Sequence, residues 1–356
     1  MLTRGALVCG IISLAIIASD LGPTAFALGV LIAVIPVPLY VVLALWLDRF
    51  EPEPAHTLAQ TFAWGATVAV FIALLGNGLA GSFLEATWGA SAADFLGSVV
   101  LAPVVEELAK GAALLFLFSE LRDEFDGVVD GVVYAAMVGL GFAMVENVQY
   151  YGEAVAAGIE TSMVTFVLRG MMSPFAHPLF TAMFGIGLGL VREGPRDGRR
   201  WLAAAGGLFL AVTVHSLWNL AASLEGWFIG LYLAVMVPAF IGVLWLIGTS
   251  LRREGRVIRE HLSHLVDEGI LPARELECLC HVRARMGATM RAWRSGGVPR
   301  WRLRREMHRV ASELAFHRWR VNRGLTQGLA ADATREYEYL DQLLDLCSRL
   351  EMNQSR

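Results

Sequence analysis

Between residues 5 and 251 the chain is a succession of apolar stretches, each close to the length that crosses a bilayer. A spanning helix needs about 20 mostly apolar residues. Eight stretches meet that condition: 5–19, 24–47, 57–84, 92–118, 128–151, 163–191, 201–224 and 227–251. In hydrocarbon the backbone must satisfy its own hydrogen bonds, so such stretches fold as helices. Composition agrees. Hydrophobic residues make up 56% of the 356 residues and charged ones 17%, against about 25% charged in soluble domains. A purely soluble globular protein, a disordered chain and a collagen-like repeat are excluded. The expected fold is all-α: a polytopic membrane bundle of about eight transmembrane helices with a C-terminal cytosolic helical tail. The first stretch follows Arg4, as a signal peptide would. No small-x-small cleavage site precedes Asp20, so it reads as a retained helix.

Charge divides the chain. Residues 1–251 hold 9 Lys and Arg against 19 Asp and Glu, and residues 252–356 hold 20 against 14. The expected domains are therefore 1–251, a membrane domain, and 252–356, a basic cytosolic helical domain. Positive charge also orients the spans. Alternate connections carry Arg4; Arg49; Arg122; Arg192, Arg196, Arg199 and Arg200; and Arg252, Arg253 and Arg256. The connections between them carry no Lys or Arg. Both termini are expected in the cytoplasm. Arg169, near the outer start of the sixth stretch, is the exception and reads as an interface anchor or ion-pair partner.

In the tail, Leu262, Leu265 and Val266 share one apolar face, and helices are expected over 273–293 and 301–323. The breaker Ser295-Gly296-Gly297-Val298-Pro299 separates them. A last amphipathic helix is expected over 331–350, with Tyr339, Leu343 and Leu346 along one side. Cys9, Cys278, Cys280 and Cys347 do not form a disulfide framework at this length. The Arg-rich run 283–309 has apolar helix-face residues interspersed and no DNA-binding pattern. No nucleic-acid partner is expected; attraction to anionic lipid or a cytosolic partner is.

Ionisable residues stand where an apolar span should exclude them. The fourth stretch carries Glu106, Glu107 and Lys110, the fifth Glu146 with Asn147, the sixth His177, and the seventh His215 with Asn219. Each charged group costs about 2.5–3.5 kcal/mol at the middle of a span, so the set should face itself or a water-filled cavity. Glu106 and Lys110 share a helix face at i, i+4, as do Phe142 and Glu146, and His215 and Asn219. Glu107 and Lys110 are three apart, and Lys110 can neutralise one of the carboxylates. The topology above brings all four polar sets to a similar depth. Two imidazoles and a carboxylate suit a zinc ion with an open fourth position. A separate carboxylate can act as general base on water, and Asn219 can donate to a developing oxyanion.

Four motifs carry a resemblance: Glu106-Glu107-x-x-Lys110, Phe142-x-x-x-Glu146-Asn147, the isolated His177, and His215-x-x-x-Asn219. With the acidic, proline-containing segment 47–54, the chain resembles the PrsW family of intramembrane proteases. That family is related to the CAAX-processing and bacteriocin-immunity membrane proteases. The resemblance spans roughly residues 30–250. It implies an integral protein of a bacterial cell membrane, an endopeptidase acting on membrane-anchored protein substrates in the lipid bilayer. First-site cleavage of an anti-sigma factor is one role in the family. It also implies Glu106 as the residue that activates water, with Glu146, His177 and His215 completing the centre as ligands of a zinc ion. Glu107, Lys110, Asn147 and Asn219 complete the expected catalytic set. Prenyl-protease relatives carry His at the position of Glu146 and Arg one residue beyond that of Lys110, and a metal-free, glutamate-driven mechanism belongs to that pattern.

Two other classes fit buried carboxylates and histidines. A proton- or ion-coupled transporter is one, although the sequence lacks the paired halves that transporters often show. A catalytically silent membrane scaffold whose tail binds partners is the other.

Overall fold

The computed structural model describes residues 2–47, 53–121, 124–194, 198–224, 226–324 and 328–352. Of the acidic proline segment, residues 48–52 lie outside these, as do the orienting residues Arg49, Arg122 and Arg196. Every regular element among the described residues is a helix. The chain falls into two compact units, one of residues 2–47 and 53–245, the other from Leu246 onward.

The first unit is built from α1 (Leu2–Leu21), α2 (Pro23–Leu47), α3 (Ala55–Trp88), α4 (90–120), α5 (Val128–Ala157), α6 (159–172), α7 (Ala176–Glu193), α8 (Trp201–Ser223) and the start of α9 (Phe228–Asp267). Among the described residues seven helical runs are long and apolar enough to cross a membrane. Helix α4, the fourth stretch of the sequence, is not among them. It is long enough, but every 18-residue window of it holds at least three of Asp94, Glu106, Glu107, Lys110 and Glu120. Its polar load sets it apart from its neighbours.

Helix α5 is the axis of this unit. It packs against α7, α2, α3 and α4, and most of its length is buried. Glycine lets the backbones come this close. A Cβ on Gly131 would lie 2.2 Å from Gly185 O, and one on Gly139 would lie 2.5 Å from Pro178 N. On the other side of α5, Gly65 of α3 stands so that a Cβ would meet Val138 O at 2.0 Å, and one on Gly141 would meet Phe62 O at 2.1 Å. Helices α7 and α8 meet in the same way at Gly187 and Gly207.

Departures from regular helix mark the polar segments. Helix α2 bends between Val34 and Val37, where Pro36 and Pro38 stand. A wide π-helical turn over Gly97–Leu101 precedes Pro103 and the charged residues of α4, and another over Phe166–Met172 contains Arg169. Such turns often occur at functional positions. Between α6 and α7 the helix breaks at Ser173 and Pro174. The Ser173 hydroxyl donates to Leu168 O at 2.6 Å, and α7 restarts one residue before His177.

The second unit holds the end of α9, then α10 (Ala273–Leu279), α11 (Val282–Asn322) and α12 (Leu329–Met352). Ile258, Leu262, Leu265, Leu314, Leu343 and Leu346 lie in one apolar core, with Val266 and Tyr339 packed on it. The helix expected over 273–293 is interrupted at Cys280–His281. The breaker at 295–299 bends α11: Gly296 and Gly297 leave helical geometry, and Gly297 has φ 63°, a conformation that favours glycine. None of the four cysteines forms a disulfide.

Two outcomes follow from this packing. Gly65→Ala should destabilise the first unit by roughly 1–3 kcal/mol, the cost of overpacking, whereas Gly78→Ala, with open space at its Cβ, should not. Thermal unfolding of the detergent-solubilised chain distinguishes them. In the second unit, His308 is buried with Nε2 unpartnered. Burial, then the nearby Arg285 and Arg304, hold its pKa well below the ordinary 6.5. The unfolded chain therefore binds a proton there that the folded unit refuses. Stability present above pH 6.5 should fall by up to about 1.4 kcal/mol per pH unit as pH drops below that value. Amide hydrogen exchange of α11 should show the loss, and His308→Gln should flatten it.

Candidate active site

Three of the charged residues of α4, Glu106, Glu107 and Lys110, point into the first unit. Lys110 is fully buried, Glu107 nearly so, and Glu106 is 6% exposed. Lys110 Nζ lies 2.5 Å from Glu107 Oε1 and 3.9 Å from Glu106 Oε2. It also reaches His177 Nδ1 of α7 at 3.1 Å and sits 4.4 Å from the centre of the Phe142 ring of α5. One ammonium thus joins three helices. A buried cation is tolerated only with such partners.

Glu107 is engaged on both oxygens. Thr181 of α7 donates its hydroxyl to Oε2 at 2.9 Å, and His215 Nδ1 of α8 faces Oε1 at 3.0 Å. The carboxylate accepts, so His215 Nδ1 carries the hydrogen and Nε2 presents a lone pair. That nitrogen lies 3.8 Å from Glu106 Oε2. A carboxylate on one imidazole nitrogen fixes the tautomer and orientation of the ring, as it does for metal-ligating histidines. The His215 ring also stacks on Phe180, centroids 4.5 Å apart.

His177 uses both nitrogens. Nδ1 accepts from Lys110, and Nε2 donates to Glu146 Oε2 of α5 at 2.9 Å. Glu146 is half-buried and also pairs with the Arg169 guanidinium of α6. Arg169 Nε donates to Asn147 Oδ1 at 2.7 Å, and its guanidinium lies 3.6 Å from the centre of the Tyr150 ring. Arg169 is an ion-pair partner here.

Glu106 is the exception within this network. Its Oε2 is buried and has no hydrogen-bond partner. The Asn77 amide of α3 lies against the carboxyl, and Asn77 Oδ1 is likewise without a partner. Three carboxyl groups face two cations, and Glu106 is the one left without a close cation.

Donor atoms of Glu106, His177 and His215 all lie within 4.8 Å of one another, and no other such trio of metal-binding residue types occurs among the described residues. A carboxylate with two imidazoles is a zinc donor set, and an unpaired buried oxygen beside a free imidazole lone pair fits a cation. The trio has Glu106 where the resemblance implies Glu146, which is turned to Arg169 and His177.

The structure therefore gathers Glu106, Glu107, Lys110, His177 and His215, with Glu146 at the margin. Asn147 holds Arg169. Asn219 projects elsewhere and donates to Ser98 O of α4 at 2.8 Å. Thr181 and Asn77 join the site without having been singled out in the sequence. Thr181 stands four residues after His177, the spacing that puts both on one face of α7. Asn77 is an amide within an apolar span.

Comparison with known proteins identifies relatives of the chain. A family model described as PrsW family intramembrane metalloprotease matches residues 53–243. A protein named Protease PrsW from Geobacillus kaustophilus (strain HTA426) is 29% identical over 53% of this chain and 78% of its own length. Its namesake from Halalkalibacterium halodurans is 29% identical over 56% of this chain and 83% of its own length. That from Bacillus subtilis (strain 168) is 24% identical over 59% and 88%. No solved structure matches the chain.

The ion pair can be tested directly. Lys110→Met leaves Glu107 as an uncompensated buried charge and should destabilise the first unit by about 3–5 kcal/mol. Adding Glu107→Gln to that variant should recover much of the loss. Thermal unfolding of the single and double variants measures the difference.

Proposed function

The chain belongs to the PrsW family of intramembrane metalloproteases, and we propose that it hydrolyses peptide bonds of membrane-anchored proteins, with Glu106 as the group that activates water. The observation that carries this reading is the buried Glu106 Oε2, which has no hydrogen-bond partner and lies beside His215 Nε2. A carboxylate so placed can take a proton from water as the water oxygen adds to the peptide carbonyl, and return it to the departing amine. Lys110 holds Glu107, and Glu107 holds His215 with Nε2 directed at the reacting centre. Glu146, anchored by Arg169, orients His177 from the other side.

If zinc binds, Glu106, His177 and His215 would hold it. His177 would first have to give up its contact with Lys110 or Glu146, and Glu106 would then serve as a ligand, the general-base role above belonging to metal-free hydrolysis. Zinc, when bound there, supplies Lewis-acid polarisation and a water of lowered pKa. The roles of Asn147 and Asn219 are positional in this reading: one steadies Arg169, the other ties α8 to α4. We assign residues 1–251 to the membrane protease domain and 252–356 to a cytosolic helical domain. The distribution of arginine among the connections supports placing both termini in the cytoplasm. We propose a membrane-anchored regulator of anti-sigma type as the substrate class, the role that the resemblance implies.

Glu106→Gln should lower cleavage of a membrane-anchored substrate by about 10²–10⁴-fold, the range of a lost general base, with expression and unfolding temperature retained. Cleavage at the unaltered rate would overturn the assignment. Zinc content of the purified chain beside His177→Ala/His215→Ala separates metal-assisted from glutamate-driven hydrolysis: metal lost in the variant supports the first, and active protein without metal the second.

A further inference from the structure

The second unit carries a surface that the proteolytic reading does not use, and it lies outside residues 53–243, where the family model matches. Residues 278–305 contain eight arginines and no Asp or Glu. Two of the arginines are structural. Arg285 is buried and donates to Leu279 O at 2.8 Å and to Ser312 Oγ at 2.7 Å. Arg304 is buried against Glu275. Arg283, Arg291, Arg294, Arg302 and Arg305 are exposed, and Arg300 is half-exposed.

Apolar side chains are set among these cations. Met286, Met290 and Trp293 follow one face of the first arm of α11 at i, i+4 and i+7. Val298 and Trp301 come from the second arm, beyond the Gly296–Gly297 bend. With Thr289 they line an open hollow of about 470 Å³. Met290 is 50% exposed, Trp293 52% and Val298 48%. Solvated helix faces do not ordinarily display tryptophan and methionine together, and such a patch rimmed by polar groups marks an interaction surface.

We infer that the bend of α11 is a docking face for an anionic lipid bilayer: Trp293, Met290 and Val298 enter the headgroup boundary and the surrounding arginines meet lipid phosphates. Three observations favour lipid. Within 278–305 the exposed charge is of one sign, while the flanking Glu277 and Glu306 are paired with Arg259 and Arg309, and it complements an anionic headgroup layer. Tryptophan on an apolar face with arginine beside it is the composition of segments that lie in the interface. The unit also continues in one helix, α9, from the last candidate span, so a bilayer is present at high effective concentration for this surface.

The test uses the full chain reconstituted in vesicles, with photo-crosslinking p-benzoylphenylalanine in place of Met290. Vesicles are made of phosphatidylcholine alone or of phosphatidylcholine with phosphatidylglycerol, and adducts are read by mass spectrometry. Phosphatidylglycerol adducts should exceed that lipid's share of the bilayer. They should fall by about tenfold or more in Arg291→Gln/Arg294→Gln/Arg302→Gln, three lost phosphate contacts. Arg335→Gln, on α12, should leave them unchanged. The same probe in place of Tyr337, 71% exposed on α12, should give few. Equal labelling of the two lipids, equal yield at Tyr337, or crosslinks to a second copy of the chain would each overturn the inference. So would a dominant crosslink to another protein in cells, which would make the hollow a peptide groove.

Discussion

The contact between Lys110 and Glu107 is the one on which the buried site depends. Taking either charge out of water costs several kcal/mol, and each makes the other's burial tolerable. Lys110 goes on to reach His177 and the Phe142 ring, while Glu107 goes on to Thr181 and His215. Four helices, α4, α5, α7 and α8, therefore converge on one ion pair. Replacing a buried pair by apolar residues is often neutral for stability. What this pair adds is registry. Glu107 and Lys110 meet within α4 at i, i+3, and the rotation of α4 that brings Glu107 to Thr181 and His215 and Lys110 to His177 also carries Glu106 to its place beside His215 Nε2.

Those side chains meet because the backbones around them are allowed to approach and to break. At the level of the site, Gly139 lets α5 lie against His177 and Pro178 of α7. A side chain there would push His177 away from Lys110. The break at Ser173–Pro174 gives α7 a fresh start just before His177, and the π-helical turn before Pro103 resets α4 just before Glu106. Glycines that leave room, and turns that re-aim, surround the residues whose orientation matters.

Much of this was legible in the sequence. Spans declare themselves by length and hydropathy, and ionisable residues within them declare a site because hydrocarbon makes them expensive. The i, i+4 spacing placed Glu106 with Lys110 on one face, and the structure has both turned inward. Spacing within one helix says nothing about which residue meets which across helices. Hence Asn219, on the face of His215, turned out to serve Ser98, and Thr181, whose hydroxyl gives no hydropathy signal, was passed over. The tail shows the same limit. Its apolar face was readable from Leu262, Leu265 and Leu343, but the interruption at Cys280–His281 was not, since neither residue is a strong helix breaker.

The three carboxyl groups illustrate how one cluster divides structural from chemical work. Glu107 has Lys110, Thr181 and His215; Glu146 has Arg169 and His177; Glu106 Oε2 has no hydrogen bond, with Lys110 at 3.9 Å and His215 Nε2 at 3.8 Å. A buried acceptor without a donor costs about 1–3 kcal/mol, which the satisfied neighbours offset by holding the helices together. An orphaned atom is not by itself a site. His308 Nε2 in the second unit has no hydrogen-bond partner either, but two arginines stand near it, and among the described residues no trio of metal-binding side chains gathers there. At Glu106 the unpartnered oxygen faces a free imidazole lone pair, with a second imidazole within reach. Convergence of unspent acceptors, held in position by engaged neighbours, is the geometric ground on which we propose this carboxyl group as the reactive member of the three.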